Sequence, residues 1–285
     1  MGQKTSSELV ENDQHDETVS DATPMATKLV FEVIRRNGEE ELARPIASLW
    51  WSGIAAGLLI AFSVWGEALL RAKLPDTDWR YIIENIGYSL GFVLVILGRM
   101  QLFTENTITT VVPVVLKPTG ASFGRLVRLW TIVLAANVVG AFVIATFMAY
   151  APVLESDVRA AMQTLSEHAT GMGAAEGFYR GIPAGVLIAA LVWMLPSTQS
   201  SQLLLIVLFT WLIALGDFTH IVAGSVEMAF LMVQGQLGLH PALTGFFLPV
   251  LAGNIVGGTV VFTLLTWAQI KPEIEENAAE PARTA

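Results

Sequence analysis

Few side chains in this sequence can do chemistry, and most of them fall in two places. His220 is the one histidine within an apolar segment. It closes the run Asp217-Phe218-Thr219-His220, between an uncharged stretch at 201–216 and an apolar stretch at 221–233 that carries only Glu227. The second cluster is Arg99-Met100-Gln101-Leu102-Phe103-Thr104-Glu105-Asn106-Thr107, inside another hydrophobic segment. A neutral imidazole at such depth can hydrogen-bond a small anion, and its charged form can release a proton. The blander reading is a hydrogen-bonded packing histidine. There is no Cys, which excludes disulfides, thiolate metal sites and cysteine nucleophiles. Ser225 lies five residues from His220, on a different face of any helix, so a serine hydrolase is not expected. No pattern calls for a metal or a cofactor.

These clusters need elements that can hold them. The chain is 53% hydrophobic and 14% charged, with a mean hydropathy of +0.58, which suits a membrane protein. A lipid-facing helix cannot carry polar groups in a row, because unsatisfied groups in hydrocarbon cost several kcal/mol each. Both clusters therefore read as breaks in membrane helices. The pattern predicts six spans: 47–70, a broken span of 81–100 and 107–116, 129–150, 178–195, a broken span of 201–216 and 221–233, and 241–270. A surface helix is expected within 155–168. Residues 1–24 read as a disordered acidic tail without a signal-peptide pattern, so the first apolar helix is expected to act as an uncleaved insertion signal. Residues 25–42 read as an amphipathic helix, lying on the membrane or on a neighbouring subunit. Residues 271–285 form a C-terminal tail.

Lys and Arg number ten on the side of the N-terminal arm, the 117–128 loop and the C-terminal tail, against four on the other side. Both termini are thus expected in the cytoplasm, with the protein in a bacterial inner membrane. The net charge of −9 sits largely at the ends and argues against nucleic acid as a partner.

The two halves repeat. Residues 53–65 read GIAAGLLIAFSVW and 181–193 read GIPAGVLIAALVW, identical at nine of thirteen positions. Residues 134–143 read LAANVVGAFV and 251–260 read LAGNIVGGTV, identical at six of ten. Three spans per half (about 43–150 and 175–270) place the second half upside down, as an inverted 3+3 repeat. The half-helices after the two breaks then start near the midplane, where their N-termini favour a small anion. Asn137 and Asn254 occupy equivalent positions and are expected to tie the breaks to spans three and six.

The LFTEN stretch at 102–106 resembles the L-F-T-G-N signature of the formate/nitrite transporter family. Asp217-Phe218-Thr219-His220 sits where that family has its second break with a central His. The wording GRMQLFTENT and GDFTHIVAGSVE is similar to the family's inner-membrane YfdC-type branch. The resemblance covers about 43–270. It implies an all-α, aquaporin-like fold with helices two and five broken, assembled as a homopentamer with a pore in each protomer. It implies an apolar constriction at Leu102 and Phe103, and Thr104 facing His220. The pattern departs at Glu105, where the family has Gly, at Gln101, where an acidic residue is usual, and at Thr219, where better-known members have Glu. No Lys occurs between Lys117 and Lys271, so the family's vestibule Lys has no counterpart.

The expected function is a channel or proton-coupled transporter for small monovalent anions or weak acids such as formate or nitrite. Protonation near His220 lets the neutral acid cross the constriction. Gln101, Thr104, Glu105, Asn106 and Asp217 complete the candidate pore set. Glu105 could instead form a buried pair with Arg99, and Asp217 is expected to cap the second half-helix rather than to touch substrate. Glu227 and Arg180 are also candidates to pair. The alternatives are an aquaporin-like neutral-solute pore, for which no Asn-Pro-Ala sequence occurs, and a non-conducting membrane scaffold or sensor.

Overall fold

The computed structural model describes residues 26–279, and all regular structure among them is helical. The expected tail at 1–24 lies outside the described residues. The chain opens with α1 (Thr27–Ala43), then α2 (Ile46–Lys73) and α3 (Arg80–Leu97). Two short helices follow, α4 (Phe103–Thr109) and α5 (Val111–Leu116), then the long α6 (Gly120–Tyr150) and the surface helix α7 (Ser156–Gly171). The second half holds α8 (Ala174–Ser197), α9 (Gln202–Leu215), α10 (Ile221–Val233) and α11 (Leu239–Pro272). Helical backbone continues beyond α11 to Ala279, into the stretch expected as a tail. Five helices, α2, α3, α6, α8 and α11, are long and apolar enough to cross a membrane by length and composition. α9 and α10 are shorter apolar helices.

The first turn of α6 forms because Thr119 and Ser122 make a reciprocal capping box, satisfying two orphan N–H groups. This start lies nine residues ahead of the expected 129, because the amphipathic turn before the apolar run is helical too. α2 packs along α6 and α8 along α11, and small residues allow it. A Cβ on Gly57 would lie 2.1 Å from the Asn137 carbonyl oxygen, and one on Gly185 would lie 2.3 Å from that of Asn254. Close backbone approach of this kind is how apolar helices associate where lipid and side chain are equally greasy.

One face of α1 rests on its own chain. Val30, Phe31 and Ile34 are buried against Ile108, Val112, Ala189 and Ile270, and the Phe31 ring meets Trp193 edge-on at 6.5 Å. Its polar face is braced by Glu32, which accepts from Arg35 and Arg36 at 2.7 Å and is held down at a pKa of about 2 by those guanidinium hydrogen bonds.

Two helices are irregular where they border the site. α3 tightens into a 3₁₀ turn at Asn85–Tyr88. α11 widens into π-helix at Val256–Thr263, and there Thr259 Oγ1 donates to the Thr107 carbonyl at 2.8 Å. Such departures from α geometry are common at functional sites.

Replacing Gly57 or Gly185 with Leu should lower stability by about 1–3 kcal/mol despite the better helix propensity of Leu. Gly124→Leu, with nothing within 4 Å of its Cβ, should not. Thermal unfolding in detergent separates the two outcomes.

Candidate functional site

Two helices stop in the same way. α3 ends at Leu97, Arg99 turns left-handed at φ 52°, and the Met100 N–H reaches back to the Val95 carbonyl at 3.0 Å. α9 ends at Leu215, Asp217 turns left-handed at φ 54°, and the Phe218 N–H reaches the Ile213 carbonyl at 2.9 Å. A non-glycine residue in that conformation costs about 1–2 kcal/mol, so both turns must be held from outside.

Two asparagines do the holding. Asn137 Nδ2 donates to the carbonyls of Gly53 and Gln101, both at 2.8 Å, and its Oδ1 accepts from the Phe103 N–H at 3.0 Å. Asn254 Nδ2 donates to the carbonyls of Gly181 and Thr219, both at 2.9 Å, and its Oδ1 accepts from the Ile221 N–H at 2.8 Å. Each asparagine thus joins a neighbouring helix, a break and the first N–H of the next helix. Both are fully buried.

The second half-helix of the first break begins at Phe103, not at 107 as the sequence suggests. Thr104, Glu105 and Asn106 form its first turn instead of a loop. Their polar side chains mark the start of a helix whose first N–H, that of Phe103, is satisfied by Asn137 of α6. Asn106 Nδ2 donates to Gln101 Oε1 and to the Leu102 carbonyl, both at 3.2 Å. Gln101 Nε2 donates to Glu41 Oε2 of α1 at 2.7 Å.

The two breaks meet at one contact. Thr104 Oγ1 lies 2.8 Å from His220 Nε2, with both residues almost wholly buried. The other ring nitrogen, Nδ1, accepts from the Ala223 N–H at 3.3 Å, which makes His220 the side-chain cap of α10. With Nδ1 accepting, the neutral ring carries its proton on Nε2 and donates it to Thr104. The Thr104 hydroxyl hydrogen then has no acceptor among the described residues. The Phe92 ring stands edge-on to the imidazole at 4.9 Å, and Phe103 stands edge-on to Trp130 at 5.6 Å. Leu102 and Phe103 are each 1% exposed.

Open space lies on both sides of this contact. A recess of about 610 Å³ borders α1 and is lined by Glu40, Glu41, Arg99, Gln101 and Glu105. A smaller cavity of about 60 Å³ borders α7 and is lined by His220, Thr219, Asp217, Glu67, Tyr88 and Glu227.

Three expected pairings are corrected. Arg99 does not pair with Glu105. The left-handed turn sends Arg99 to the exposed rim of the recess, while Glu105 Oε1 is buried with no hydrogen-bond partner. Asp217 does not cap α10, since His220 does. Asp217 accepts from Arg180 Nη1 at 2.8 Å and faces His168 Nε2 at 2.9 Å. Arg180 is therefore engaged by Asp217, and by Glu176 at 2.8 Å, rather than by Glu227. Ser225 donates to the Ile221 carbonyl at 2.6 Å and is buried.

The sequence reading did not anticipate Phe92, Tyr88, Asn85, Glu67 and Glu41 beside these residues. The available signal was polar side chains within apolar spans, Asn85, Tyr88 and Glu67 above all.

The family model described as formate/nitrite transporter matches residues 28–268. The chain belongs to this family. It is 40% identical over 277 residues to Inner membrane protein YfdC of Escherichia coli (strain K12), covering 97% of this chain and 89% of that one. It is 24% identical over 243 residues to Formate channel FocA of Haemophilus influenzae, covering 76% and 84%. A solved pentameric formate channel with formate bound shares the fold, with a TM-score of 0.68 at 22% identity over 78% of this chain and 96% of that one. Membership of a family of transporters makes an enzymatic role the weaker expectation for this chain.

Alanine at Asn137 or Asn254 removes three hydrogen bonds and orphans buried backbone groups. Each substitution should cost about 2 kcal/mol or more, read as a fall in thermal midpoint of the detergent-solubilised protein. Asn→Asp keeps the acceptor and should recover only the bond to the Phe103 or Ile221 N–H.

Proposed function

We propose that this protein is a channel or proton-coupled transporter for small monovalent anions and their conjugate acids, with formate and nitrite as the substrate class. What supports this reading is family membership together with the Thr104–His220 contact at 2.8 Å. That contact brings the first turns of α4 and α10 to one point, between an open recess and a cavity.

In this reading the chain crosses the membrane six times, as an inverted 3+3 repeat. α3 with α4 and α5, and α9 with α10, form the broken second and fifth spans. The matched helix endings and the matched asparagine clamps support that pairing. The transporter domain is about 43–270, with both termini in the cytoplasm and five copies of the chain in the assembly.

Leu102 and Phe103 form the apolar constriction beside the central contact. A bare anion cannot cross it cheaply, because an isolated charge in hydrocarbon carries a large desolvation penalty. The substrate therefore crosses as the neutral acid. The Thr104 hydroxyl, whose hydrogen has no acceptor among the described residues, donates to a substrate oxygen while His220 holds Thr104 in place. Protonation of the anion takes place beside His220 as substrate passes. Gln101, Asn106 and Glu105 line the approach on the α1 side, and Asp217 keeps Arg180 and His168 fixed on the other.

Labelled-formate uptake into proteoliposomes, with and without an inward proton gradient, tests this. Uptake should rise with the gradient. His220→Ala should lower it by about tenfold or more, as loss of a positioned proton-transfer group does. Unchanged flux and pH dependence in that variant would remove His220 from the mechanism.

A further inference from the structure

α10 presents His220, Gly224 and Glu227 at i, i+4 and i+7, a spacing that puts all three on one helix face. All three border the cavity on the α7 side. α2 brings Glu67 to the same cavity, and the 3₁₀ turn of α3 brings Asn85 and Tyr88. Its volume of about 60 Å³ exceeds the ~10–15 Å³ that a single water requires.

The charges around it are unevenly matched. Arg71 and Arg80 stand 3.1 and 3.2 Å from the oxygens of Glu84, a residue 2% exposed. Arg180 is taken by Glu176 and Asp217, and His168 faces Asp217. Glu67 and Glu227 have no ion pair and no hydrogen bond among the described residues. Tyr88 supplies an independent observation. It is 8% exposed and lines the cavity, and its hydroxyl has no hydrogen-bond partner among the described residues. Its ring lies 5.3 Å from Phe92, which in turn meets the His220 imidazole. A buried hydroxyl without a partner among the described residues, on a residue that lines a cavity, can serve as a hydrogen-bonding group for a solute there.

A bare anion in this cavity would meet the two unpaired carboxyl groups of Glu67 and Glu227, beside the paired Asp217, and no free cation among the described residues. Two ionised carboxylates confined together also repel each other, and a proton relieves both conflicts. We propose that Glu67 and Glu227 hold the transported proton beside His220 and deliver it to the entering anion, and that the Tyr88 hydroxyl hydrogen-bonds the neutral acid so formed. This rests on the weak-acid reading above. In the step, a substrate oxygen takes the proton from a Glu carboxyl. The O–H bond of the glutamic acid breaks, the O–H bond of the substrate acid forms, and glutamate remains. Water on the α7 side returns a proton to it.

The test is labelled-formate uptake into proteoliposomes by Glu67→Gln, Glu227→Gln and Tyr88→Phe, with empty-vesicle leak subtracted. The glutamine variants should lose at least about tenfold of the uptake stimulated by an inward proton gradient, yet stay within about twofold of the unaltered protein at pH 5, where solution supplies the protonated acid. Tyr88→Phe should keep the stimulation and need several times more formate for half-maximal uptake. Glutamine variants with full gradient stimulation would overturn the proposal and leave the weak-acid reading standing. No uptake by the unaltered protein, of formate or of nitrite, would overturn both. An infrared difference spectrum of the unaltered protein needs no variant. Formate binding should bleach a protonated-carboxyl band, and a spectrum without that change would overturn the proposal even if the variants failed to fold.

Discussion

A chain that leaves one helix and enters the next among buried apolar residues has N–H and C=O groups with no water to turn to, and the rest of this structure depends on how they are met. Two buried asparagines meet them. Asn137 and Asn254 each bond a neighbouring helix, the break and the first N–H of the half-helix beyond it. One side-chain amide has a donor pair and an acceptor, which matches two carbonyls and one N–H at each break. That match steadies the chain on the far side of the left-handed turns at Arg99 and Asp217, next to the residues Thr104 and His220 that meet.

The fold places further demands on those two helices. α6 must come close enough to α2, and α11 to α8, for an asparagine to reach a carbonyl across the gap. Glycines at the crossings permit it. α11 adds the π-helical stretch whose Thr259 bonds Thr107 in the first half-helix, so the second half of the chain braces the break in the first half. His220 extends the same logic. Its two ring nitrogens serve a helix cap and a contact between the breaks, so the imidazole is a structural strut.

Much of this was legible in the sequence, and the rest failed for physical reasons. The polar runs in apolar segments marked the breaks, and the repeated asparagines marked the ties. The start of the first half-helix was placed four residues late, because Thr104, Glu105 and Asn106 are typical loop residues. Here their backbone is helical, since the Phe103 N–H is satisfied from α6 rather than by a local cap. General preference makes Asp217 a capping residue, but tertiary contact with Arg180 claims it and leaves the cap to an imidazole. Of the cavity of Glu67, Tyr88 and Glu227 only the polar side chains within apolar spans are legible, and not their meeting. Its residues come from α2, α3 and α10, and only packing brings them together.

The two helix endings carry one more implication. Their backbones are near copies, yet the left-handed residue is a cation in one and an anion in the other. Arg99 stands at the exposed rim of a wide recess, and Asp217 is locked between Arg180 and His168 beside a narrow cavity. A scaffold that is even in its main chain is odd in its charge. A charged solute approaching the recess therefore meets a different potential from one approaching the cavity, although the main chain around the two is the same.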